Sequence, residues 1–270
     1  MQFNKLFPYT FCQVFPFYFL RLHFFVDKMN QTPIMKLEGG NMFDNYAFKY
    51  PVHQALLDGN YAKVKQEINS DTINNKDESG NTLLHLCAVK GILEMTQYLL
   101  EQGIDVNARN QNTYTALNEA AYFGYFEIVK LLVMNGANIH DTFEYGQTVL
   151  HASAYQGHLE ISRYLIEKGA NVNASRIDGT TALHKAVMKG SLEILKLLVE
   201  SGANVNAATE SGKTPIHYAV NSGRLDYVIC LIEAGADLKA KTNDGQTITD
   251  IAKDNQNTHM IEYLESMNFE

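Results

Sequence analysis

The feature that most constrains this sequence is a repeat of 33 residues that begins after about residue 50 and continues to the C-terminus. Threonine recurs at this step, and so do two series of glycines, without insertion or deletion. The positions are Thr82, Thr115, Thr148, Thr181, Thr214 and Thr247; Gly91, Gly124, Gly157, Gly190 and Gly223; and Gly103, Gly136, Gly169, Gly202 and Gly235. Three series in one frame exclude an accident of composition and predict a row of equivalent structural units.

Each unit has the pattern of two short helices followed by a turn. In residues 180–212, Thr181 suits the N-cap of a first helix, and Gly190 is expected to end that helix in a left-handed conformation. A second, more apolar helix ends at Gly202, and Gly212 closes a tight turn. Helices this short cannot bury their apolar faces alone, so neighbouring units must stack. The predicted fold is an all-α repeat solenoid of stacked helix–turn–helix units with hairpin-like fingers.

Two short motifs carry a resemblance to a known family. Thr214–His217 reads Thr-Pro-Ile-His, and Gly-Ala-Asn-Val-Asn-Ala stands at both Gly169–Ala174 and Gly202–Ala207. Over residues 50–270 the sequence therefore resembles an ankyrin-repeat protein with seven units. The resemblance implies a scaffold or adaptor that binds a protein partner in a concave groove, formed by the fingers and the first helices, and that carries out no catalysis.

The two ends of the array depart from the pattern as terminal units do. His53 lies one residue out of frame, and Asp250 and Gln256 replace the histidine and the glycine of the last unit. We therefore predict capping units at residues 50–80 and 246–270, because a terminal unit needs a polar outer face.

The third unit, which contains Thr115, departs from the pattern inside the array. Asn118 stands at the position of the opening histidine, and Thr113 stands where a turn glycine is expected. These two substitutions predict a less regular junction between helix and finger at this unit.

Composition excludes several functional classes. The net charge is −8 for the chain and −10 for residues 50–270, which argues against nucleic acid as a partner. Ala207–Thr214 satisfies a relaxed phosphate-loop pattern, but Gly212 and Thr214 are the finger glycine and the helix cap of the repeat. We therefore predict no enzyme activity and no cofactor.

Histidine occupies one slot in four units, at His85, His151, His184 and His217. Equivalent residues of stacked units lie roughly 10 Å apart, like packed helices, whereas zinc needs its ligands at about 2 Å. We therefore expect no metal site, and we expect each imidazole to tie its own helix start to the neighbouring finger. Cys87 and Cys230 fall on apolar slots and are predicted to be buried thiols.

The predicted binding surface is a cluster of aromatic and polar residues at the groove positions of the third and fourth units. The residues are Gln111, Tyr114, Tyr122 and Phe123 in the third unit, and Glu144, Tyr145, Gln147 and Tyr155 in the fourth. Asp178 and Lys189 form a charged rim on one side, and Glu78 and Lys90 form it on the other. Tyrosine-rich patches are typical of binding hot spots. The alternative is that two or three of the rings pack into the stack and only fill space.

Residues 1–28 differ from the rest, because eight of the 14 phenylalanines lie in the first 25 residues. One interpretation is a membrane anchor formed by residues 1–26, which would make the protein a membrane-tethered adaptor. Against it, prolines and Arg21 interrupt the apolar run before it reaches the length of a membrane span. The other interpretation is a translated leader that precedes a start at Met29 or Met35. Residues 29–49 are predicted to be a linker.

The cysteines and the resemblance together indicate a compartment. Three cysteines without close spacing predict neither disulfides nor a zinc knuckle, which favours a reducing environment. We expect a cytoplasmic protein that is monomeric, as capped solenoids usually are. An ankyrin effector that an intracellular bacterium secretes into the host cytoplasm is an alternative setting.

Overall fold

A computed structural model describes residues 51–189 and 191–267 of the chain. The predictions for residues 1–28 and 29–49, and for the helix end at Gly190, lie outside these residues. The described residues form seven pairs of short α-helices, which confirms the all-α repeat solenoid. The helices are α1 (Pro51–Leu57), α2 (Tyr61–Glu67), α3 (Leu83–Lys90), α4 (Leu93–Glu101), α5 (Ala116–Phe123), α6 (Phe126–Met134), α7 (Val149–Gln156), α8 (Leu159–Glu167), α9 (Ala182–Lys189), α10 (Leu192–Glu200), α11 (Pro215–Asn221), α12 (Leu225–Glu233), α13 (Ile248–Asp254) and α14 (Thr258–Ser266).

The repeated Thr and His begin the first helix of each regular unit together. The backbone N–H of Thr82 donates to Nδ1 of His85 over 3.2 Å, and this interaction satisfies a group that the helix itself leaves unpaired. The other ring nitrogen, Nε2, then donates to the carbonyl of Tyr114 in the next unit at 2.9 Å. His151 and His184 make the same bridge, at 3.1 and 3.2 Å. The predicted role of the histidine slot is confirmed at these three positions.

Burial keeps these imidazoles neutral. It lowers the pKa of His151 and of His184 to about 4, and the neutral ring has the one donor and one acceptor that the bridge requires. His217 keeps the helix cap, but its Nε2 has no hydrogen-bond partner among the described residues.

The core is built from repeat positions whose apolar side chains face the neighbouring unit. Equivalent side chains of successive units form a column along the array. The leucine column of the second helices is fully buried at Leu99, Leu132, Leu165, Leu198 and Leu231. Cys87 is also fully buried, and burial raises the pKa of its thiol to about 12. Cys230 is only partly buried, contrary to the prediction, because its repeat position lies at the margin of the buried face of the second helix, as in the equivalent Leu131.

The fingers approach each other so closely that most of them need glycine. Gly80, Gly179 and Gly212 have φ between 76° and 78°, and a Cβ added to any of them would lie 2.8 Å from backbone of the next finger. This contact lets the finger tips form a row of backbone hydrogen bonds. The N–H groups of Gln111, Ile177, Glu210 and Asn243 donate to the carbonyls of Ser79, Tyr145, Asp178 and Ser211 at 2.9–3.0 Å.

The third unit breaks this row, as its sequence predicts. Thr113 has φ 66°, in the left-handed region that a β-branched residue rarely adopts. Since its Cβ occupies the space where the next finger would approach, the fourth finger folds differently. There β1 (Thr142–Phe143) and β2 (Gln147–Thr148) pair across a three-residue turn, Glu144–Gly146, in which Tyr145 has φ 58°. Among the fingers that the structure describes, the bond from Glu144 N–H to Asn112 is the one missing from the row.

The terminal units replace the missing pattern residues with others. In the last unit, the carboxylate of Asp250 accepts from the Thr247 N–H at 2.9 Å, and Gln256 takes the left-handed conformation with φ 53°. In the first unit, His53 is buried and its Nε2 lies 3.2 Å from the carbonyl of Asn81. Both ends therefore continue the stack with altered side chains.

Candidate protein-interaction surface

Tyr114 is buried and braces the altered fourth finger. Only 8% of its surface is exposed, so it is not displayed in the groove as a contact residue. Its ring lies 4.8 Å from that of Phe143, and its hydroxyl donates to Glu144 Oε2 at 2.9 Å. The side-chain bond from Tyr114 joins the third and fourth units where the backbone bond between their fingers is missing.

Glu119, whose carboxylate feels the charge of Glu144, is a residue that the sequence reasoning missed. Glu119 is 6% exposed, and its Oε2 has no hydrogen-bond partner among the described residues. Burial, and then the negative charge of Glu144, raise the pKa of Glu119 to about 7. The signal in the sequence is that Glu119 is the one acidic residue at a slot otherwise filled by Leu86, Ala152, Lys185, Tyr218 and Ile251.

Tyr122, Phe123 and Tyr155 are half-buried along the first helices. The rings of Tyr122 and Phe123 meet edge to face, with centroids 5.3 Å apart. Burial raises the pKa of Tyr122, and the neighbouring Tyr155 and Glu119 add to the effect. Lys185 and Lys189 place their ammonium groups 5.2 and 5.0 Å from the ring centroid of Tyr155, within cation–π range. The groove is therefore acidic beside Tyr122 and basic beside Tyr155.

Tyr145 lies at the tip of the fourth finger and is 52% exposed. The guanidinium of Arg176 lies 5.6 Å from its ring centroid, and the Tyr145 carbonyl accepts from the N–H of Ile177. Ile177 is 73% exposed, although the same slot is polar in the other described units. Sequence reasoning missed Ile177, and this single apolar residue in a polar column is the signal that could have found it.

Met188 is a second apolar residue that the sequence reasoning missed. It is exposed on α9, one unit along from Tyr155 and two units along from Tyr122 in the same slot. The three residues make an apolar and aromatic column along the first helices.

The predicted polar residues lie at the fingers and mostly support them. The Gln111 amide donates to the carbonyl of Glu78 at 2.8 Å, and Gln147 is half-buried in β2. Asp178 accepts from the Thr180 N–H at 3.0 Å. Lys189 and Lys90 are exposed. The structure thus brings the predicted residues onto adjacent fingers and first helices, but as a mixture of exposed and structural groups.

His158 has a packing role that the sequence did not predict. It is half-buried, and its Nε2 lies 2.9 Å from the carbonyl of Tyr122. A Cβ on Gly124 would lie 2.5 Å from the His158 ring. His158 therefore fixes the end of α5, the helix that carries Tyr122.

Comparison with known proteins identifies the family. A family profile described as ankyrin repeats in three copies matches residues 52–143 and 135–209, and one described as ankyrin repeats in many copies matches residues 202–252. These matches cover well over half of the chain. The chain belongs to the ankyrin-repeat family, whose general role is protein interaction and which is generally non-catalytic.

Two curated relatives are similar over a short stretch. Ankyrin repeat domain-containing proteins 13C-A and 13C-B of Xenopus laevis are each 36% identical to this chain over 61 residues. The match covers 23% of this chain and 12% of each relative.

Neither a metal site nor a membrane span is present in the part of the chain that the structure describes. Residues 51–189 and 191–267 contain no group of three or more His, Cys, Asp or Glu side chains placed to hold a metal ion. No helix in these residues has the length and apolar character needed to cross a membrane.

Proposed function

We propose that this protein is a non-catalytic adaptor that binds a protein partner through the groove of its third to fifth units. The observation that carries the proposal is the combination of Tyr122, Tyr155 and Met188 on the first helices with Tyr145 and Ile177 at the finger tips. Rigid aromatic and apolar side chains beside charged groups are the usual composition of a binding hot spot.

The mechanism is presentation of a surface that is already ordered. Backbone bonds between finger tips and histidine bridges between units hold the contact residues in place before a partner arrives. Association then costs less conformational entropy than it would for a flexible surface. We place this activity in the cytoplasm and expect a monomeric adaptor.

The test is capture of partners from a cytosolic extract by the full chain and by a Tyr122→Ala, Tyr145→Ala double variant. We expect the double variant to lose a protein that the unchanged chain holds, while its thermal unfolding changes little. Phe123→Ser and Tyr155→Ser extend the test, whereas Tyr114 is left unchanged because it is buried. Retention of every captured protein by a folded double variant would refute the surface assignment.

A second candidate is a membrane-tethered adaptor, and the phenylalanine-rich residues 1–28 favour it. Those residues lie outside the described part of the chain. Carbonate extraction of the full chain beside a chain that starts at Met29 separates the two candidates. Retention of the full chain alone in the membrane fraction supports the tether, and equal extraction contradicts it.

A further inference from the structure

The step between the third and fourth units contains a carboxylate whose hydrogen-bonding capacity is unused. The exposed fraction of Glu119 is 6%, and no group of the described residues donates a hydrogen bond to its Oε2. A buried acceptor without a partner destabilises the fold, and more so if it is charged. Native proteins rarely keep such a group, so its position needs a reason.

A second carboxylate lies near it and is partly open to solvent. Glu144 is half-buried, and its charge acts on Glu119, so the two groups are neighbours across the unit boundary. Glu144 uses Oε2 to accept from the Tyr114 hydroxyl. The ring of Tyr122 is close enough to Glu119 for the carboxylate charge to raise the pKa of that phenol. The result is two carboxylates flanked by two aromatic rings.

The net negative charge of the array favours binding of a cationic group at this boundary. Residues 50–270 carry a net charge of −10, which attracts basic segments over some distance. The planar guanidinium group has five donors in a rigid fork, and it both pairs with carboxylates and stacks on aromatic rings. An ammonium group has only a point charge and matches this arrangement less well.

We propose that the step between the third and fourth units is a pocket for an arginine side chain of a basic partner segment, held between Glu119, Glu144 and the ring of Tyr122. This inference rests on the proposed function, because it specifies the partner of the same groove. The arginine would reach Glu144 first from solvent and then satisfy the free oxygen of Glu119.

Binding of a cation here is coupled to release of a proton. Without a guest, Glu119 takes up a proton near neutral pH, which relieves the buried charge. A guanidinium stabilises the charged form instead, so the proton leaves as the arginine enters. Affinity should therefore rise with pH through the neutral range.

The buried histidines and tyrosines near Glu119 keep their charge in this range. Burial lowers the pKa of His85 on α3 and of His151 on α7, so both stay neutral. Burial raises the pKa of Tyr114 and of Tyr122, so both phenols stay protonated. On α6, Lys130 and Glu127 pair with each other at 2.8 Å.

The experiment uses the full chain and a defined probe, the peptide acetyl-Gly-Arg-Gly-amide. Its neutral counterpart contains citrulline in place of arginine and keeps the same shape. Binding is followed by NMR of the tyrosine rings, and proton release by calorimetry in two buffers of different ionisation enthalpy. The variants are Glu119→Gln and Glu144→Gln, and the matched control is Glu210→Gln, which changes the exposed glutamate at the Glu144 slot of the sixth unit.

We expect saturable binding of the arginine peptide with release of up to one proton near pH 7, and no binding of the citrulline peptide. Glu119→Gln should weaken binding about tenfold and abolish proton release, while Glu210→Gln leaves both unchanged. Equal binding of the two peptides, no saturable binding, or full binding with proton release by folded Glu119→Gln overturns the arginine pocket.

A failure here is separable from a failure of the proposed function. If Glu119→Gln and Glu144→Gln still capture the partner that Tyr122→Ala with Tyr145→Ala loses, the groove binds a protein but not through an arginine. If the tyrosine variant also captures it, the groove itself is not the binding surface.

Discussion

Two steps of the solenoid, each the boundary between two neighbouring units, are built differently. Between the fifth and sixth units, Gly179 lets the next finger approach, and the finger tips bond through the backbone. Between the third and fourth units, Thr113 fills that space, and the fingers are joined by the bond from Tyr114 to Glu144. The regular step encloses neutral groups, including the His184 bridge to the Lys213 carbonyl, whereas the irregular step encloses a glutamate.

The fingers can therefore change while the helices stay the same. Leu132 at the irregular step and Leu198 at the regular step are both fully buried in the same slot. Asn118 replaces the histidine, yet its Oδ1 still accepts from the Thr115 N–H at 2.9 Å. Core and caps are thus maintained while the finger is altered, and the alteration creates the chemistry of the proposed site.

The largest expected effect tests whether the two cores are equivalent. Leu132→Asp and Leu198→Asp should each lower the free energy of unfolding by about 4 kcal/mol or more, because each buries an unpaired charge. Chemical denaturation of both variants measures this. A small effect at Leu132 alone would mean that the irregularity extends from the finger into the core.

The next effect is a pH dependence confined to the irregular step. The pKa of about 7 for folded Glu119 lies above its ordinary value of 4.5, so the folded chain binds more protons between these values. Stability from this group is therefore full at acid pH and is lost as pH rises through about 7.

Glu119→Gln removes that loss. The free energy of unfolding of this variant should exceed that of the unchanged chain by about 2–3 kcal/mol at about pH 8. The advantage should shrink towards about pH 5. Because His151 and His184 titrate equally in both proteins, the difference isolates Glu119. An advantage independent of pH would contradict the assigned pKa.

A smaller effect is expected when the two capping residues, His184 and Asn118, are each replaced by alanine and the losses of stability are compared. His184→Ala removes both the cap and the bridge to the Lys213 carbonyl, and should cost about 2 kcal/mol. Asn118→Ala removes the cap at Thr115 and should cost about 1 kcal/mol. Urea titrations of the two variants at one pH give the comparison, and equal costs would show that the histidine bridge contributes little.

The smallest effect exchanges the finger residues. Thr113→Gly relieves a left-handed threonine and should stabilise the chain by about 0.5–1 kcal/mol. Gly179→Ala should destabilise it, because the new Cβ would lie 2.8 Å from the Ala208 carbonyl oxygen at φ 77°. Shifts of the melting temperature in opposite directions are expected; a destabilising Thr113→Gly would contradict the strain argument.

The sequence predicted what depends on the repeat and missed what depends on contacts between units. The periods of Thr181 and Gly202 are local signals, so the helix pairs followed from them. Burial of Tyr114 and Glu119 depends on where the fourth finger lies, and that position follows from the Cβ of Thr113. The repeat pattern treats the positions of Glu119 and Ile177 alike, as variable surface positions. In the structure Glu119 is enclosed and Ile177 is exposed.

The most direct test of the central claim compares partner capture at the two steps. The full chain is used with Tyr122→Ala plus Tyr145→Ala, and with Asn221→Ala plus Ser211→Ala, which change the same two slots in the sixth unit. Captured cytosolic proteins are quantified by mass spectrometry. We expect the tyrosine pair to lose a specific protein and the sixth-unit pair to keep it. Loss of that protein by the sixth-unit pair alone would contradict binding at the third to fifth units.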